Sequence, residues 1–118
     1  MDATTKKILT EGGIDVGSMM ERCMGNEALL ERLLKKFLAD TSYTGLVRAF
    51  EAGDGAAALE ASHTLKGVCG NVSITGLFEL LTRQVRALRS GDTAEAASMM
   101  PEVTRRYDAA VQAIRKSF

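Results

Sequence analysis

"NEALLERLLKKFLADTSYTGLVRAFEAGD", residues 26–54, sets the fold class. Leu30, Leu33, Leu34, Phe37 and Leu38 recur at the spacing of one helical face, and Val47 and Phe50 continue the stripe. Asn26 can open this long helix, and "AGDG" at 52–55 stops it. Gly45 and the Thr-Ser-Tyr-Thr run weaken its middle, so a bend can form there.

Upstream, Asp15 can cap a short helix through "VGSMMERCM", which Gly25 ends. Residues 1–13 are polar and close on Gly12-Gly13, which reads as a mobile N-terminal arm or a short docking helix. The remaining residues, 14–118, form one domain.

Downstream, Asp54 caps a further helix that runs to about Asn71. "VSIT", residues 72–75, is a short break, with Ser73 or Thr75 able to cap the next helix. In "GLFELLTRQVRALRS" (76–90), Leu77, Leu81, Gln84 and Leu88 share a line with Leu80 beside it, and Gly91 stops the helix. "DTAE" at 92–95 has capping-box spacing, with Asp92 in place of Ser or Thr. Pro101 should kink or divide the last helix, which ends near Lys116. Short connections force antiparallel neighbours. The expected fold is all-α, an up-down-up-down four-helix bundle behind a short N-terminal helix.

The totals agree with that fold and narrow the function. One proline, 5% aromatics and no tryptophan favour helices over a sheet. Fifteen basic residues balance fifteen acidic ones, which gives no electrostatic footprint for nucleic acid. No apolar run approaches the roughly 18 to 20 residues of a membrane span. The start "MDATTKKILTEGG" lacks a signal peptide's apolar segment. The expectation is a cytoplasmic protein, and the Met start with a full set of helices favours a stand-alone one. Cys23 and Cys69 are too few and too far apart for a disulfide framework or a zinc spacing, and read as reduced, partly buried thiols.

One histidine is present, in "ASHTLKGVCGN" (61–71). With His63 at zero on a wheel of about 100° per residue, Leu59, Lys66, Gly67 and Gly70 fall within roughly 60° of it. Ala58, Ala61, Leu65, Val68 and Val72 stand on the opposite side. His63 should therefore face solvent. Two glycines beside it, each costing about 1 kcal/mol against alanine in a helix, clear a flat landing area for something large. A small ligand would want an apolar concavity instead, so the pattern suggests a protein docking face.

An imidazole titrates near pH 6.5, so at neutral pH it is largely an unprotonated nucleophile. Lys66, one turn on, can reach the oxygens of a group carried on that ring, which suits a phosphoryl group. Other chemistries fail. Cys69 lies about 240° round the helix from His63, so the two cannot form a pair. There is no HExxH or paired cysteine for a metal, and no phosphate-binding glycine loop for ATP. A phosphate reaching His63 must come from another protein.

"HTLKG" (63–67), followed by "VCGN", resembles the core motif of histidine-containing phosphotransfer (HPt) domains. The similarity extends to "GIDVGSMMERCMGNEALLERLLKKFLAD" (13–40) and "AFEAGDGAAALEASHTLKG" (49–67), covering roughly residues 13–116. It implies a four-helix bundle and a phosphorelay intermediate that shuttles a phosphoryl group between receiver-domain aspartates. His63 would be the acceptor, usually through Nε2 in the family, Lys66 the phosphate stabiliser and Gly67 the point of receiver approach. Such a chain is a phosphocarrier rather than an enzyme, a monomer without a cofactor, with Mg²⁺ belonging to its partner. That partner is a response-regulator receiver domain or a hybrid histidine kinase.

Leu59, Gly70 and Phe78 are the candidate partner-binding residues, an apolar patch within a polar rim. Arg83, Arg86 and Arg89 make the following helix basic, a solvated face or a steering surface. Two departures stand out: Ser73 where the family commonly has glycine, and Val85 where it often has glutamate. The competing reading is a non-catalytic helical adaptor with a vestigial histidine.

Overall fold

A computed structural model describes residues 1–118. Eight helices follow one another: α1 (Ala3–Glu11), α2 (Val16–Arg22), α3 (Glu27–Leu38), α4 (Ser42–Glu51), α5 (Gly55–Asn71), α6 (Thr75–Arg89), α7 (Thr93–Ser98) and α8 (Met100–Ser117). There is no strand, only an isolated antiparallel bridge between Ile14 and Ile74. Five of the helix starts share one device. Asp2, Asp15, Asn26, Asp54 and Asp92 each accept a hydrogen bond from the backbone N–H three residues on, at 2.7, 3.0, 3.1, 3.0 and 3.0 Å. Each such bond satisfies a donor that the first helical turn leaves orphaned.

Two of the expected helices are divided. The helix over 26–54 breaks at Ala39–Thr41 into α3 and α4. Asp40 turns its carboxylate onto the Ser42 N–H at 2.9 Å, a local bond that competes with the helical ladder. The last helix divides at Met99, and Pro101 sits in the first turn of α8, where a missing N–H costs nothing. Taking α3–α4 and α7–α8 as two-part rods, the bundle has four walls. α4 packs on α5, α5 on α6 and α6 on α8, and α3 meets α8 to close the ring.

Leu30, Leu34, Leu46, Leu65, Leu77, Leu81, Val103 and Ile114 fill the centre. An aromatic seam spans the α3–α4 break. Tyr43 stacks on Tyr107 at 4.0 Å between centroids, Phe37 leans on the same ring at 5.7 Å, and the Tyr43 hydroxyl meets Thr104 Oγ1 at 2.7 Å. α1 lies along α8. Leu9 is buried, and a Cβ on Gly12 would stand 2.3 Å from the Ala113 Cβ, so only glycine admits this approach. Cys23 and Cys69 are both free and buried. No helix is long and apolar enough to cross a membrane.

The expectation that Ser73 or Thr75 caps α6 does not hold. Ile74 occupies the cap position and supplies no side-chain bond. Ser73 instead takes a left-handed backbone, φ 53°, and points its hydroxyl at Ser18 Oγ, 3.1 Å away. The Ser73 carbonyl also accepts from the Asp15 N–H at 2.9 Å. The break between α5 and α6 is thereby tied to the start of α2.

Candidate functional site

The site is carried by α5, and the arrangement of that helix is set by the residues it buries. Ala58, Ser62, Leu65 and Cys69 face inward, with Val72 at the end. His63, Thr64 and Gly67 are exposed. The buried arc is turned by about 40° from the diametric position, towards Ser62 and Cys69. Ala61 and Val68, placed on the core side by the wheel, are only half-buried.

The reason lies in a polar contact in the core. Ser62 is buried and donates to Gln84 Oε1 on α6 at 2.8 Å. Gln84 Nε2 donates in turn to the Ala96 carbonyl at 3.0 Å and lies 3.3 Å from Met100 Sδ. One amide thus joins α5, α6 and the α7–α8 junction, and no buried side-chain polar atom is left unpartnered. The sequence placed Gln84 on the apolar line but gave no sign of its partner, because Ser62 is small enough to pass as a helix filler.

His63, Lys66 and Gly67 share the outer face. Above Gly67 the space is open, with no atom within 4 Å of where a Cβ would be. Gly70, expected to clear ground in the same way, does something else. A Cβ there would lie 3.2 and 3.3 Å from Cε2 and Cδ2 of Phe78, so its missing side chain is the seat of that ring. Phe78 is half-buried on α6, and the Lys66 ammonium stands 5.6 Å from its ring centroid. Leu59, expected as an exposed apolar residue, is half-buried and packs against the core. Phe78 also packs against the core, and of the candidates it is the one that stands under the Lys66 ammonium.

Two shallow clefts flank the strip from Gly67 to Asn71. One, of about 400 Å³, lies where α2 meets α5 and α6, with Ser18, Arg22, Gly67, Asn71, Thr75 and Phe78 on its walls. The other, of about 490 Å³, is lined on the α3 side by Lys36, Phe37 and Asp40 and on the α5 side by Val68 and Asn71. The residues from α2 and α3 are invisible to helical periodicity, which describes one helix at a time. Arg83, Arg86 and Arg89 are exposed, and none is in an ion pair.

Chemically, the face offers one nucleophile. Burial pushes the Cys69 thiol up to about 12, with a smaller push from Asp40, so it holds its proton and stays out of reach. No group of three or more His, Cys, Asp or Glu side chains is placed to hold a metal ion. The outer face is left with an exposed imidazole on the convex side of a helix, a cation one turn away and bare backbone beside it.

The sequence model of one protein family, described as the Hpt domain, matches residues 24–116. The match takes in α3 to α8 almost entire and begins after α2. No curated protein and no solved structure matches the chain.

Proposed function

Because the chain belongs to the Hpt-domain family, we propose that His63 carries a phosphoryl group between the aspartates of receiver domains. Hpt domains are phosphocarrier modules that interact with receiver domains and kinases in two-component phosphorelays. The observation that carries the assignment to His63 is its exposure on α5 beside the open ground over Gly67. A receiver's phosphoaspartate sits in a recess, so the acceptor must project and its surroundings must be flat.

In the transfer, the lone pair of imidazole Nε2 attacks phosphorus in line with the aspartyl P–O bond. That bond breaks, the carboxylate leaves, and the Nδ1 proton of the resulting imidazolium passes to solvent. Lys66 meets the phosphoryl oxygens, whose charge spreads as the bond loosens. Gly67 lets the receiver's loops approach the backbone. Mg²⁺ is supplied by the receiver's acidic site, and the chain acts as a cytoplasmic monomer without an ATP site of its own.

Incubation with a phosphorylated receiver tests this. Label should move to the chain as an acid-labile, base-stable species, and His63→Gln should abolish it. Equal labelling of His63→Gln and wild type would sink the assignment. Receiver binding without any transfer would favour a helical adaptor. ATP and Mg²⁺ alone should give no label.

A further inference from the structure

The phosphate-facing lysine of this site is held in an unusual way. Lys66 is half-buried and makes no ion pair. Its ammonium stands instead over the ring of Phe78, 5.6 Å from the centroid, within the range of a cation–π contact. The ring lies against the bare backbone of Gly70, where a Cβ would stand 3.2 Å from it. Its backbone is fixed on both sides: the Phe78 N–H bonds to the Ile74 carbonyl at 2.9 Å, and its carbonyl accepts from Thr82 Oγ1 at 2.8 Å.

We propose that Phe78 is a positioning residue for Lys66, restraining the ammonium on the outer face of α5, one turn from His63, without neutralising it. This rests on the phosphocarrier reading of His63. A carboxylate partner would also restrain Lys66, but its charge would compete with the incoming phosphoryl oxygens. An aromatic face attracts the cation weakly and leaves its charge unspent. A free lysine side chain samples many rotamers, and part of that freedom must be given up when it meets phosphate. Holding it in advance lowers that cost at the moment of transfer. Gly70 then serves the site through Phe78, one step removed from the partner.

Phosphoramidate is the donor for the test because it needs no docking surface. The Nε2–P bond forms as the phosphoramidate P–N bond breaks, ammonia leaves, and the Nδ1 proton passes through solvent to the ammonia. Since an exposed cation–π contact is worth about 0.5–1 kcal/mol, Phe78→Leu should slow phosphohistidine formation about two- to fivefold. Phe78→Tyr should restore the rate. In a Lys66→Ala background, Phe78→Leu should have no further effect. Equal slowing with and without Lys66 would overturn the proposal, since Phe78 would then act by packing alone.

The pose has its own readout by NMR, free of any phosphoryl donor. The Lys66 ε-methylene resonances should be shifted upfield by the ring current and should relax in Phe78→Leu. Unshifted resonances in wild type would overturn the contact while leaving the phosphocarrier reading intact. Shifted resonances in a wild-type chain that no phosphorylated receiver or phosphoramidate can label would overturn the reading of His63, and the role of Phe78 with it.

Discussion

Residue 73 shows how much one backbone angle can decide. Ser73 is buried with φ 53°, a region that costs an L side chain about 1–2 kcal/mol and glycine almost nothing. It regains some of that through its hydroxyl contact with Ser18. Ser73→Ala keeps the strain and loses the contact, so it should destabilise the fold by about 0.5–1.5 kcal/mol. Ser73→Gly loses the contact but relieves the strain and should be the milder change, as urea unfolding of the two variants would reveal. The reverse order would show that strain is not what the turn stores. On α5, adjacent residues should likewise separate. Leu65→Ala, fully buried, should cost about 2–5 kcal/mol. Lys66→Ala should slow phosphotransfer yet leave the unfolding midpoint nearly unchanged. A destabilised Lys66 variant beside an intact Leu65 variant would mean the faces are reversed. The outward placing of His63 and Gly67 was legible in the sequence because exposure on one helix is set by that helix's own periodicity. The roles of Gly70 and Leu59 were not, since each depends on what α6 or the core brings against it.

At the scale of elements, the starts of helices read more clearly than their interruptions. Asp15, Asp54 and Asp92 announce their helices because a cap is a local event between a side chain and a nearby N–H. The break at Ala39–Thr41 was less distinct: the weak residues were visible, yet Gly45 lies inside α4 and it is Asp40, within the break, that bonds the first N–H of α4. What compensates for that break is the seam of Phe37, Tyr43 and Tyr107, which no single helix displays. The Ser62–Gln84 contact has the same long-range character, and it makes a sharp prediction. Gln84→Leu removes the partner of a buried hydroxyl and should cost about 1–3 kcal/mol. Adding Ser62→Ala removes the orphaned group and should recover part of that loss. A double variant as unstable as the sum of the singles, measured by chemical denaturation, would show that the two groups are not coupled.

Across the whole molecule, four walls and a closing contact between α3 and α8 make one cooperative core, with α1 set against α8 outside the region of the family match. The order of the walls was legible, since short turns leave few alternatives. The place of α1 was not, because Gly12 reads as a terminator and not as the close approach it permits. The buried Cys69 gives this core a pH dependence. Its folded thiol keeps its proton up to about 12, while an unfolded thiol near the ordinary 9.0 loses it. Above pH 9 the unfolded state thus binds fewer protons, and stability, fully present below that pH, should fall steadily as pH rises towards 12. Cys69→Ala should be less stable throughout but fall less steeply between about pH 8 and pH 10.5. Parallel slopes would assign the effect elsewhere.

Ser62 and His63 are chain neighbours that answer to opposite demands. The first is locked to Gln84 inside the bundle, and the second meets whatever arrives from outside. Substitutions at the exposed positions around the outer crest of α5 can therefore accumulate without eroding the scaffold. A gene duplicate could acquire a new signalling partner by drift at the rim while its imidazole and its fold stay in service. Insulation between pathways can evolve on such a bundle through a few surface changes, with no refolding in between.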